Sequence, residues 1–363
     1  MGGAFPLSER KMIMLKRWIC LVLVLALLTG CGAKETAVPE DDAAPVESGE
    51  IAGETGGETD GETEQPEEPG EPFVYNPHLT VPLVAADVPE EYWQALHSLC
   101  DALRAGEDTF ACPSQEAYRW ATDQATLNHL FPAACTRVTP VEGGFSDGVG
   151  RVHYEVPVEE FMGRQAQFEA DVAALLNKVL RNCDTDFEKA LKLYNYMSLN
   201  FLYEYDFVPD KGDGSVFVTF HSREGQCVDL AGLYAFLLVQ AGVEAVDISC
   251  FSDGMDHEWV YLVLDGVGYH SDVTWGLRDP AEPLDLTYFL MTGEMRAQSG
   301  CPVDDLTVPL LPRFWVSLSA SRFPADTETL CFPAGAHLTR LDEAADTAYY
   351  MLGGRETAVY YGE

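Results

Sequence analysis

The chain is short of bases, of closely spaced cysteine pairs and of long apolar runs, and each shortage excludes a class of protein. Its 22 Lys and Arg stand against 59 Asp and Glu, a formal net charge of −37 over 363 residues. A surface of that sign repels phosphates, so neither nucleic acid nor anionic lipid is expected to bind the folded part. Ten cysteines occur without a single Cys-x-x-Cys, which removes the zinc ribbon and the thioredoxin-type redox pair. The apolar run "WICLVLVLALL" at 18–28 falls short of the roughly 20 residues that span a bilayer. No internal repeat is visible, and strand–helix alternation is too sparse for a doubly wound solute-binding fold. Asp206, Asp210 and Asp213 miss the EF-hand spacing, and neither a metal nor another cofactor is expected.

What is present divides the chain sharply. Arg10, Lys11, Lys16 and Arg17 precede the apolar run, and "LTGC" closes it at Cys31. Residues 1–31 thus read as a lipoprotein signal peptide with Cys31 as the lipidated residue. The expected location is extracytoplasmic, with the protein held on a bacterial cell membrane by its N-terminal lipid. Residues 32–76 read as a disordered acidic linker, since positions 32–72 carry 14 acids against the single base Lys34 and almost no large apolar side chain. Outside a membrane disulfides are permitted, but spacing does not define their pairing.

The remainder is patterned for a core. Residues 77–160 read as a small helical and strand region. Asp87 and Glu90 suit a helix start ahead of Tyr92, Leu96, Leu99 and Leu103, and a second helical stretch spans 114–130. A turn and a strand carrying His153 follow. Within 161–312, a helical face from Gln165 onward holds Phe168, Val172, Leu175, Leu176, Val179 and Leu180. Thr185 and Glu188 form a capping-box pattern. Residues 206–222 read as a long connection, "VEAVDISCF" as an alternating strand, and "LDLTYFLMTGEM" as a segment that packs back on the core. Residues 313–363 read as a small β-rich appendage with a hairpin at Gly353-Gly354.

Cys227 is the focus. It precedes Leu230, Tyr234, Leu237 and Leu238, which share one side of a helix ending at Gly242. A cysteine taken alone is more often a core thiol than a nucleophile. Asp265-Gly266 is a two-residue hairpin signal, and such a loop pairs Leu264 with Val267, Trp259 with Asp272 and His257 with Thr274. His257 and Asp272 then become diagonal neighbours on one face, within side-chain reach. An aspartate on one imidazole nitrogen leaves the other to take a thiol proton, and a helix N-terminus favours thiolate. His270, opposite Tyr261 and further along the hairpin, is a rival base.

"GQCVDLA" at 225–231, "HEW" at 257–259 and "YHSDVTW" at 269–275 resemble the Cys, His and Asp motifs of the transglutaminase-like superfamily, and the helix at 186–206 resembles the one before the cysteine in bacterial members. The resemblance implies an α+β fold with a papain-like cysteine-protease/transglutaminase core, a helical N-terminal region and a small C-terminal β segment. It implies Cys227 as nucleophile, His257 as base, Asp272 as the residue that orients it, and Gln226 as a support for the oxyanion site. It also implies a peptide or protein substrate attacked through a thioester, by hydrolysis or amine transfer. Val228 stands where many transglutaminases carry tryptophan, which weighs against crosslinking. The competing expectation is a binding or scaffolding lipoprotein that keeps the fold without turnover.

Overall fold

The computed structural model describes residues 71–205, 216–252, 255–300, 306–311 and 320–362. The expected signal peptide, Cys31, most of the acidic linker, the Asp206, Asp210 and Asp213 group and Cys301 lie outside the described residues.

Helices open the N-terminal region: α1 (Pro82–Ala85) and α2 (Glu90–Ala105). Tyr92, Leu96, Leu99 and Leu103 are buried along α2. The helix starts behind Pro89, whose ring presets φ. Asp87 is not its cap; the carboxylate pairs with Arg322 at 2.6 Å instead. After β1 (Thr109–Ala111), the stretch expected as one helix is two, α3 (Gln115–Ala121) and α4 (Gln124–Leu130). The break has a local cause: Asp123 accepts the Ala125 N–H through its side chain at 3.0 Å and so begins a second helix. Strands β2 (Val138–Ser146) and β3 (Val149–Tyr154) join β1 in an antiparallel sheet of order β1-β3-β2.

Two long helices follow. α5 (Val158–Val179) begins behind Pro157, earlier than the expected Gln165, and buries Phe161, Phe168, Val172 and Leu176. α6 (Asp186–Asn200) is capped as its sequence suggests, with the Glu188 N–H on Thr185 Oγ1 and the Thr185 N–H on Glu188 Oε2. The short strand β4 (Leu202–Tyr203) then lies parallel to β5 (Glu224–Gly225). Between them, Val216–Ser222 is a helix, α7, rather than connection, because Val216, Thr219 and Phe220 all find buried positions.

α8 (Cys227–Gln240) is apolar on nearly every side and is correspondingly buried, except at its first turn, where Val228 is exposed. Gly242, at φ 87°, ends it in the left-handed conformation. Strands β6 (Glu244–Ser252), β7 (Met255–Leu264) and β8 (Val267–Ser271) form the main antiparallel sheet. Asp265 (φ 48°) and Gly266 (φ 76°) make the turn, and the ladder runs from Leu264–Val267 to Val260–Ser271. It stops one step short of the anticipated Trp259–Asp272 pair, because the Asp272 N–H leaves the sheet for the Tyr288 carbonyl at 2.8 Å. The segment after Trp275 packs back as expected, burying Leu284, Leu286, Phe289 and Met291 before α9 (Gly293–Gln298). β9 (Leu306–Thr307) extends the sheet to the order β8-β7-β6-β9.

At the C-terminus β10 (His337–Asp342), β11 (Thr347–Leu352) and β12 (Arg355–Tyr360) form a separate antiparallel sheet that turns at Gly353-Gly354. Tyr361 ties it to α6: its ring stacks on Phe187 at 4.3 Å and its hydroxyl donates to Glu188 Oε1 at 2.7 Å.

Gly225 shows how closely the chain must approach α8 to present Cys227. A Cβ there would lie 2.7 Å from Asp229 Cβ and 3.1 Å from two Thr219 atoms. Gly225→Ala is therefore expected to destabilise the fold by about 1–3 kcal/mol, measured by urea unfolding.

Candidate active site

Three elements converge on Cys227. The residue occupies the first helical position of α8 and is half-buried. Backbone N–H groups in a first turn have no intrahelical acceptor, and the helix dipole places partial positive charge there. The thiol interacts with His257 of β7 and Tyr203 of β4, and raises the pKa of each. His257 Nε2 lies 2.7 Å from Asp272 Oδ2. With Nε2 committed to the carboxylate, Nδ1 is the nitrogen left to meet sulfur. The structure thus brings Cys227, His257 and Asp272 together.

Gln226, immediately before the thiol, begins the helix. Its N–H donates to Asp229 Oδ2 at 2.8 Å, and its carbonyl accepts the Leu230 N–H at 2.9 Å. Burial raises the Asp229 pKa despite that backbone donor. These are contacts of a helix start, and neither of them aims a Gln226 donor at an oxyanion.

The surroundings of Asp272 go well beyond what the motifs suggest. Its Oδ1 accepts the Trp275 N–H at 3.2 Å, and its Oδ2 accepts Arg296 Nη1 at 2.8 Å as well as His257. Asp272 and Arg296 are both fully buried. The Arg296 guanidinium lies 4.2 Å from the Trp259 ring centroid and 4.4 Å from that of Trp275. The Trp275 ring in turn stacks on His257 at 4.8 Å with planes 11° apart. Imidazole, two indoles and a guanidinium therefore surround one carboxylate. Trp275 belongs to a recognisable motif, whereas Arg296 sits 24 residues beyond Asp272 on a short helix and carries no local signal. Tyr203, too, has none.

Electrostatics follow from this packing. Burial alone would lower the His257 pKa, but the Asp272 charge and hydrogen bond outweigh it, with help from Cys227, and push it up to about 9. Burial would raise Asp272, yet Arg296 first and His257 second hold it below the usual carboxylate range. His270 takes a different state. Burial and Arg296 lower it to about 3, and its Nδ1 accepts the Trp259 indole N–H at 3.0 Å. A neutral imidazole pinned under Trp259 is a structural group, and His257 is the imidazole that faces the thiol.

An α+β domain with a cysteine at a helix N-terminus and a histidine–aspartate pair on an adjoining hairpin is the architecture of a thiol-enzyme family. Residues 173–275 match the family model of the transglutaminase-like superfamily, from within α5 to Trp275, and the chain carries a domain of that family there. A solved structure of a candidate cysteine protease from Cytophaga hutchinsonii is similar over 24% of this chain and 30% of that one, at 20% identity and a TM-score of 0.20. The chain thus spans less than a third of that protein. No curated protein matches the chain.

Two outcomes are expected of this site. Arg296→Met leaves a buried carboxylate short of its strongest partner and should cost about 3–5 kcal/mol in chemical unfolding. His257 holds its proton more tightly folded, near pH 9, than unfolded, near 6.5. The stability it contributes is therefore complete below about pH 6.5 and is lost as pH rises through about 9. The gap in unfolding free energy between wild type and His257→Gln should narrow between about pH 6 and pH 10.

Proposed function

We propose that the protein is a thiol enzyme that acts on peptide or protein amide bonds, with Cys227 as nucleophile, His257 as acid and base, and Asp272 as the residue orienting His257. The observation that carries this reading is Cys227 at a helix N-terminus, interacting with a His257 that is hydrogen-bonded to Asp272. The family assigned to residues 173–275 supports it.

In this scheme His257 and Cys227 share a proton as an imidazolium–thiolate pair. The sulfur attacks the amide carbon, and a C–S bond forms as the carbonyl π pair moves to oxygen. First-turn N–H groups of α8 face that oxyanion. The C–N bond then breaks, and the His257 Nδ1 proton leaves with the amine. Water or a second amine attacks the thioester, returns a proton to His257 and releases the acyl group, which restores the thiolate. Hydrolysis makes the protein a protease or amidase; amine capture makes it an acyl transferase.

The surface beside the thiol favours substrates with apolar side chains. Val228 is exposed next to Cys227, and exposed Tyr205 meets the Tyr203 ring at 4.9 Å, with Tyr203 interacting with the thiol. Anchoring to a bacterial membrane through Cys31 belongs to the same proposal and places the substrate outside the cytoplasm.

Iodoacetamide at pH 7 should alkylate Cys227 about tenfold faster than an ordinary thiol, which is only a few per cent ionised there. His257→Ala should remove that advantage. An equal rate in both proteins would sink the ion pair and favour a binding or scaffolding role. Ammonia or peptide release, measured with and without added amine, separates hydrolysis from transfer, and Val228→Glu should raise KM for an apolar peptide with little change in kcat.

A further inference from the structure

A second cluster of chemistry-bearing side chains lies deeper in the fold, and the function proposed above does not use it. His129 of α4, Asp247 of β6 and Glu258 of β7 are each at most 9% exposed. One donor atom from each lies within 4.8 Å of the other two. The residues are 118 and 11 positions apart in the chain, so no spacing motif announces them.

The hydrogen bonds define what the cluster presents. His129 Nδ1 lies 2.7 Å from the Ala125 carbonyl. A carbonyl only accepts, so Nδ1 carries a hydrogen, and Nε2 faces Asp247 Oδ2 2.8 Å away, a contact that needs a proton between the two atoms or a cation in its place. The Glu258 carboxyl meets the same aspartate, while its Oε1 has no partner despite burial. Three electron-pair donors thus converge in a buried site, and something positive must lie among them. Protons can serve. A divalent cation serves equally, because two carboxylates and a neutral imidazole balance its charge.

The geometry points to a binding site for one first-row divalent cation, of the Zn²⁺ or Mn²⁺ kind, held by His129 Nε2, Asp247 and Glu258. One nitrogen and carboxylate oxygens suit such ions. A backbone carbonyl on the far nitrogen of a ligating histidine is the usual supporting contact, and Ala125 supplies it. Space exists for a bound water as a further ligand: a cavity of about 20 Å³ is lined by His129, Asp247 and Gly232. The ion would join the N-terminal helical region to the main sheet.

The test uses the full chain, stripped with EDTA and dialysed against Zn²⁺ or Mn²⁺, with bound metal counted by mass spectrometry and Tm followed by calorimetry. One equivalent per chain and a rise in Tm of several degrees are expected. Asp247→Asn and Glu258→Gln should each bind about tenfold more weakly or worse. Cys227→Ala should keep its full equivalent, which separates this site from the thiol. Should the ligand variants fail to fold, X-ray absorption of the Zn²⁺-loaded wild type decides alone: a nitrogen–oxygen shell with one imidazole is expected. A sulfur shell, no retained ion, or undiminished binding in both folded variants would overturn the site and leave the cluster held by protons.

Discussion

Asp272 is a carboxylate with no exposed surface, held in its charged form, and such a group survives inside a protein only when its charge is met by partners at close range. Arg296 arrives from α9, His257 from β7 and the Trp275 N–H from the turn just beyond β8. Each of these has its own support. Arg296 is flanked by Trp259 and Trp275, and Trp275 is stacked on His257. The cost of burying one charge therefore dictates the arrangement of four large side chains.

The thiol depends on the same carboxylate at one remove. Asp272 fixes which His257 nitrogen is free, and α8 fixes where sulfur stands, so the contact between them is set by two rigid elements rather than by a loop. The remainder of the molecule supports that alignment. α8 is buried on nearly all sides, Gly225 lets β5 approach it closely, and β4 brings Tyr203 to the sulfur from the end of α6. The two histidines of the hairpin illustrate how completely surroundings govern chemistry. His257 and His270 lie on neighbouring strands of one sheet, yet a nearby carboxylate pushes the first toward pH 9 while burial beside Arg296 holds the second near 3.

Legibility in the sequence follows the range of the interactions involved. The α6 capping box, the Gly242 stop and the Asp265-Gly266 turn are local, and each stands where its residues place it. Because the turn sets the register of the hairpin, the closeness of His257 and Asp272 is legible in the order of residues alone. Helix boundaries are less legible. Asp123 splits a stretch whose periodicity suggests one helix, Pro157 starts α5 seven residues before its apolar stripe becomes evident, and α7 forms where polar flanking residues suggest a connection. In each case a single cap or a buried contact outweighs the average pattern of the segment.

By itself the sequence determined the order of the parts: a thiol at a helix start, a histidine and an aspartate on either arm of a tight hairpin, and the capped helix that precedes them. All of that is written in spacings of a few residues, which backbone geometry converts directly into position. Only the tertiary structure decided that Arg296 meets Asp272, that His270 is silenced, that Tyr203 reaches sulfur, and that His129 joins Asp247 and Glu258. Those contacts join residues brought together by packing, and their energies come from burial and charge in a dry interior, which no local pattern of residues encodes.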